Sequence, residues 1–203
     1  MSFLEEKVSQ VEAFYAKLDV DLAIFQKQAK YSCLSGCSKC CHSPNIEASI
    51  LEMLPLAFFL FKENLANTFY DKLLSNSSDS LCSLYEPILT ASKKGACSEY
   101  PYRALVCRLF GFSFTRDKNG DPSILACKDI KAENHEAIER IEKQAKKGLK
   151  VPMANNYHTQ LSDIDYNLSM NQYPINEAIR LAIEMTMNHF HYSEPIVADV
   201  RIA

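Results

Sequence analysis

The chain of 203 residues contains no tryptophan and only five glycines. The shortage of glycine bears on function because phosphate-binding loops need glycine at fixed spacings. Neither the dinucleotide-binding fingerprint nor the P-loop pattern occurs. The HExxH pattern of zinc proteases and the GxSxG pattern of serine hydrolases are missing as well. These absences exclude the two common kinds of nucleotide chemistry and leave few conventional catalytic motifs.

Long hydrophobic runs and an excess of positive charge are also missing. The most apolar segment, residues 53–61, is far shorter than a membrane helix, which needs about 20 residues. Residues 1–7 lack the basic start and apolar run of a secretory signal. A net charge of −3 and a pI near 6.0 give no basic footprint for nucleic acid. We therefore expect a cytoplasmic protein that binds neither nucleic acid nor membranes.

Cysteine is the residue present in unusual number. Eight cysteines in 203 residues, about 4%, fall below the roughly 8–10% at which composition suggests a disulfide scaffold. Four of them lie within nine residues: Cys33, Cys37, Cys40 and Cys41. Such short intervals let one loop wrap around an ion or cluster. The other four are separated by 14, 9 and 19 residues and can share a site only if the fold brings them together: Cys82, Cys97, Cys107 and Cys127.

Four kinds of role remain open for these thiols. Inert burial explains four thiols in nine residues poorly, and disulfides are disfavoured in a reducing compartment. Thiol redox chemistry remains an alternative to metal binding. Zinc and iron–sulfur clusters both accept four thiolates. Zinc ribbons usually show two CxxC knuckles, so one crowded loop with four scattered cysteines favours an iron–sulfur cluster, 4Fe–4S in particular, over zinc. The eight thiolates could form two sites or one.

Positive and aromatic side chains lie near the scattered cysteines in the sequence. A site made only of thiolates is anionic, so nearby cations should stabilise it. We expect Arg103 and Arg108 to supply this charge, and Tyr100 to pack over the site and keep water out. His42 is either an additional ligand or a solvent-facing imidazole. The spacing of Cys33, Cys37 and Cys40 also occurs in radical S-adenosylmethionine enzymes, but the barrel strands that precede it there are missing here.

Hydrophobic periodicity predicts a long N-terminal helix over about residues 3 to 30. Its apolar positions alternate spacings of four and three, which defines a heptad seam: Leu4, Val8, Val11, Tyr15, Leu18, Leu22, Phe25 and Ala29. Such a seam needs another helix to cover it. We favour a helix of the same chain, the alternative being self-association or a protein partner.

Local motifs predict the remaining elements. Ser49 and Glu52 form a capping box, which predicts a helix to about Leu74, bent near Pro55. A β-hairpin is expected around the turn residues 116–121, followed by helices after Lys131, over about 153–168, and from Pro174 to about Phe190. The predicted fold is mainly α, with long terminal helices around an irregular cysteine-rich core that has a short β-hairpin. Its segments are 1–30, the metal-binding domain 31–131 and the helical 132–203.

The cysteine pattern resembles that of the bacterial YkgJ-like cysteine-cluster proteins, a family of zinc- or iron-chelating domains with a CxxCxxCC signature. The resemblance covers about residues 31 to 130, and all eight cysteines fall in step with it. The sequence departs from the family pattern at two points. Three residues instead of two separate Cys33 from Cys37, and Ala104 stands where the family usually has proline.

The resemblance implies a cytosolic metal-binding or electron-transfer module. The alternative is a redox or group-transfer enzyme, or a component of one, such as a protein-lysine methylation activity. A closed site of four thiolates would favour the module, and a pocket with an open iron position would favour the enzyme.

Overall fold

The computed structural model describes residues 2–33, 39–43, 45–75, 81–86 and 96–193. Within these ranges the chain forms nine α-helices and three short antiparallel strand pairs, which confirms the mainly α class. The helices are α1 Phe3–Ala29, α2 Ile50–Lys62, α3 Ala66–Ser75, α4 Leu105–Leu109, α5 Lys128–Glu133, α6 His135–Lys146, α7 Ala154–Ser162, α8 Tyr166–Ser169 and α9 Ile175–Ser193. None of these helices is long and apolar enough to cross a membrane.

The strands are short and form three antiparallel pairs. β1 (Glu47–Ala48) pairs with β6 (Tyr173–Pro174), β2 (Tyr85–Glu86) with β3 (Ala96–Cys97), and β4 (Phe114–Arg116) with β5 (Pro122–Ile124). Two 3₁₀ turns, Lys39–His42 and Tyr100–Tyr102, complete the regular structure of the described residues.

Helix α1 matches the predicted N-terminal helix. Its start is capped by Ser2, whose hydroxyl accepts the Glu5 N–H while the Glu5 carboxylate accepts the Ser2 N–H. All eight positions of the heptad seam are buried. They pack on the chain's own elements, since α1 contacts α2, α6 and α7. The seam residues are thus buried against other helices of the same chain.

The predicted single helix from Ser49 to about Leu74 is two helices. The capping box of Ser49 and Glu52 is present, and Pro55 lies inside α2 without ending it. The chain leaves α2 at Asn64, which has a positive φ of 59°. The Leu65 N–H bonds the Leu60 carbonyl (2.8 Å) and the Asn64 N–H bonds the Phe61 carbonyl (3.0 Å). This is a Schellman ending, which asparagine tolerates because it enters the left-handed region readily.

Helix α2 lies in the middle of the larger hydrophobic core. Nine of its thirteen residues are buried, and it packs against α1 on one side and α9 on another. Helix α9 contributes the fully buried Ala178, Ile179, Ala182 and Ile183. This core therefore joins side chains from all three predicted segments. Burial at roughly 25 cal/mol per Å² of apolar surface is the main force that holds them together.

A second, smaller core lies under the hairpin. It consists of Phe25, Ala29, Tyr31, Phe114, Ile124, Ile130, Ile138 and Ile141. The predicted β-hairpin is confirmed, with Thr115 opposite Ser123. The charged helix α6 buries Ile138, Ile141 and Ala145.

The helix predicted over 153–168 is interrupted. Helix α7 ends at Ser162, and the Asp165 carboxylate starts α8 by accepting the Leu168 N–H at 3.0 Å. Aspartate caps helices well because its short side chain reaches a free backbone donor. Pro174 precedes α9, in agreement with the prediction.

Candidate metal centre

The pairing of β2 with β3 brings Cys82 and Cys97 together. Cys97 lies opposite Tyr85, and the Tyr85 N–H bonds the Cys82 carbonyl at 2.8 Å. The Ser98 N–H bonds the Leu84 carbonyl at 2.7 Å. These backbone bonds place two thiols that are far apart in the sequence beside each other.

Helix α4 carries Cys107 and is attached to α2 through a buried carboxylate. Glu52 is 1% exposed. Its Oε1 accepts the Ser49 N–H at 2.9 Å, and its Oε2 accepts the Leu105 N–H, the first of α4, at 2.8 Å. The sequence identified Glu52 only as a capping residue of α2. Its second partner is 53 positions away, and no local pattern signals that contact.

The 3₁₀ turn Lys39–His42 presents Cys40 and Cys41. Their thiols share a hydrogen bond, which lowers the pKa of Cys40 and raises that of Cys41 well above its ordinary value. The His42 ring packs edge-on against the Tyr85 ring, with centroids 4.7 Å apart. This contact joins the turn to the β2–β3 pair, which carries Cys97 and follows Cys82. His42 is exposed.

Burial and mutual repulsion act on the same thiols. Burial, with the charge of Cys82, raises the pKa of Cys97 to about 11. Burial, with the charges of Cys82, Cys40 and Cys97, raises the pKa of Cys107 to about 12. Each of these thiols is therefore close enough to at least one other to affect its ionisation. We call this set the thiol group: Cys40, Cys41, Cys82, Cys97 and Cys107.

Arg103 lies beside the thiol group. Its charge lowers the pKa values of Cys40, Cys97 and Cys107. At Cys97 and Cys107, burial and the neighbouring thiols raise the pKa by more than Arg103 lowers it. Its guanidinium stacks on the exposed Tyr100 ring at 3.8 Å. The Arg103 Nε is buried and has no hydrogen-bond partner among the described residues. A buried donor of this kind, on a residue whose charge acts on the thiols, suits a site that becomes anionic.

Arg108 faces helix α1 instead. Its guanidinium is buried, donates to the Arg103 and Pro101 carbonyls, and pairs with Asp19 of α1. It also covers the Tyr15 ring at 4.2 Å. The structure therefore uses Arg108 to attach the segment around α4 to the N-terminal helix.

The remaining cysteines lie elsewhere or outside the described residues. Cys33 and Cys127 both pack against the second core. The Cys127 sulfur also accepts the Ile130 N–H at 3.4 Å, at the start of α5. Cys37 lies in the span 34–38, outside the described residues.

The chemistry of the donors fits zinc or iron. Five thiols are soft ligands for either metal, and the buried Arg103 nitrogen suits their negative charge. Their arrangement is not a finished ligand shell. Within the described part of the chain, no three Cys, His, Asp or Glu side chains are placed so that they could hold an ion. The thiols lie near one another, but no three of the described ones surround a common point where an ion could bind.

The fold is mainly helical, and it places five cysteines, the thiol group, in one region of the protein. A family model described as "CxxCxxCC: Putative zinc- or iron-chelating domain" matches residues 32–147, more than half of the chain. The chain belongs to this family of metal-chelating domains. The match extends beyond the residues, about 31 to 130, that carry the sequence resemblance. Comparison with curated proteins gave no match, and comparison with solved structures gave none.

Proposed function

We propose that the chain is a metal-binding or electron-transfer module whose thiol group binds an iron–sulfur cluster, 4Fe–4S in preference to zinc. The observation that carries the proposal is that the charges of Cys82, Cys40 and Cys97 all raise the pKa of Cys107, and that of Cys82 also raises the pKa of Cys97. Thiols that repel one another when ionised need a cation to hold them as thiolates. A bound metal supplies that positive charge.

The ligand set of the proposal comes from three parts of the chain. The turn with Cys40 and Cys41 supplies neighbouring thiols, the β2–β3 pair and the residues just before it supply Cys97 and Cys82, and α4 supplies Cys107. We add Cys37, because it precedes Cys40 by only three positions. Arg103, stacked on Tyr100, offsets the negative charge that the thiolates acquire.

Anaerobic purification, followed by metal analysis and optical spectroscopy, tests the proposal. Iron and sulfide in stoichiometric amounts, with charge-transfer absorption, would support the cluster. Zinc alone, without such absorption, would replace the cluster by a zinc site. Protein purified without any metal, and unable to take up iron or zinc, would contradict the proposal.

A matched pair of variants tests the ligand set. Cys107→Ser removes a member of the thiol group, and Cys127→Ser removes a thiol of the second core. We expect the first to lower metal content sharply and the second to leave most of it. The reverse result would place the metal at the second core.

A further inference from the structure

Cys82 is held in place by a side chain from the C-terminal helix. Asn176, the second residue of α9, accepts the Ser83 N–H at 2.8 Å through Oδ1. Its Nδ2 donates to the Leu81 carbonyl at 3.1 Å. The amide thus pairs with the backbone on both sides of Cys82, using one acceptor and one donor as a neighbouring β-strand would.

A lysine adds a third bond to the same short segment. The Lys72 Nζ, from α3, donates to the Ser83 carbonyl at 2.9 Å. Leu81 and Cys82 have no regular secondary structure of their own. Their backbone is therefore held by polar side chains of α3 and α9, together with the Tyr85 N–H that bonds the Cys82 carbonyl.

The residues just before Asn176 hold the chain that follows the Cys40–Cys41 turn. β6 pairs with β1, with Tyr173 opposite Ala48. The Ile175 N–H bonds the Ile46 carbonyl at 2.9 Å. Residues 173–176 therefore contact both the Cys82 segment and the strand that follows the turn.

We propose that Asn176 is a positioning residue of the metal centre, and that the C-terminal segment completes a site whose ligands lie in the family domain. Asn176 lies outside the family match, which ends at residue 147. Because a thiolate shell tolerates little displacement of a ligand, loosening the Cys82 backbone weakens the bound metal. Outer groups that orient ligands typically contribute about 10- to 100-fold to metal affinity. This inference rests on the proposed function.

The test is a Co²⁺ titration of the 203-residue chain under anaerobic, reducing conditions. Co²⁺ bound by thiolates gives a charge-transfer band, so the titration reports both affinity and ligand type. Four proteins are compared: the wild type, Asn176→Ala, Asn176→Asp and the control Asn155→Ala, whose side chain is exposed on α7. Asn176→Asp keeps the acceptor for Ser83 and loses the donor for Leu81. Thermal unfolding of each metal-free protein is measured alongside.

We expect Asn176→Ala to bind Co²⁺ about tenfold or more weakly than the wild type. Asn176→Asp should also bind more weakly while its metal-free form unfolds near the wild-type temperature, and Asn155→Ala should match the wild type. Unchanged affinity and spectrum in Asn176→Asp, with an intact fold, would overturn the inference. A wild type that binds Co²⁺ without a thiolate band would instead contradict the proposed function.

Discussion

The carboxylate of Glu52 on α2 accepts the backbone N–H of Leu105 at the start of α4, at 2.8 Å. The same carboxylate caps its own helix by accepting the N–H and hydroxyl of Ser49. One buried side chain thereby joins two helix N-termini, where backbone donors have no partner within their helix. The contact sets the position of Cys107, two residues into α4 from Leu105.

Replacing Glu52 by glutamine should destabilise the protein. Glutamine offers one acceptor oxygen in place of two, so a buried backbone N–H is left unpaired at Ser49 or at Leu105. Losses of this kind cost about 1–3 kcal/mol. Urea denaturation followed by circular dichroism measures the effect. The exposed Glu47→Gln in β1 is the control and should unfold like the wild type. Equal stability of Glu52→Gln and wild type would show that the double cap contributes little.

Lysine should not substitute for Arg108. The guanidinium donates to the Arg103 and Pro101 carbonyls and pairs with Asp19, and an ammonium group cannot reproduce this planar arrangement. We expect Arg108→Lys to lower the free energy of unfolding by about 1–3 kcal/mol. The control Arg116→Lys alters an exposed arginine that bonds the Gly120 carbonyl, and should change little. If both variants lost the same stability, burial of Arg108 would not be the cause.

The ending of α2 at Asn64 predicts opposite effects for two small residues. Asn64 has a φ of 59°, which glycine adopts freely and alanine does not. Asn64→Ala should therefore destabilise the chain by about 1 kcal/mol, and Asn64→Gly should be neutral or slightly stabilising. Guanidinium denaturation of both variants measures the difference. Alanine and glycine of equal stability would contradict the left-handed ending.

Metal binding should release protons and strengthen as the pH rises. With the pKa of Cys97 raised to about 11 and that of Cys107 to about 12, both thiols carry protons at neutral pH in the metal-free protein. A metal must displace those protons to bind thiolates, so apparent affinity should increase between about pH 6 and about pH 8. Calorimetric titration with Zn²⁺ in two buffers of different ionisation heat measures the released protons. Binding heats that do not depend on the buffer would contradict thiolate ligation.

Several elements of this fold can be predicted from short stretches of sequence. The heptad seam predicted α1 and each of its buried residues, since one helix face must avoid water. The capping box at Ser49 located the start of α2, and the turn residues 116–121 located the hairpin. The sequence patterns do not show that two of the predicted helices are divided. Their boundaries depend on the local contacts of single residues, Asn64 and Asp165.

The thiol-group geometry was only partly predictable. The crowding of Cys40 and Cys41 follows from adjacency in the chain. That Cys82, Cys97 and Cys107 lie near them, whereas Cys33 and Cys127 pack on another core, could not be read from spacing. The same holds for Arg103 and Arg108, which lie five positions apart and face different surroundings.

The sequence by itself determined the helical class, the family and the supply of eight thiols, because periodicity, caps and cysteine spacing are local or countable properties. Only the tertiary structure decided which thiols meet. Their positions depend on long-range contacts, Glu52 with Leu105, Asn176 with Ser83, and β2 with β3. Each of these contacts satisfies backbone groups that have no partner nearby in the chain. Which thiols lie together is therefore determined only in the folded chain.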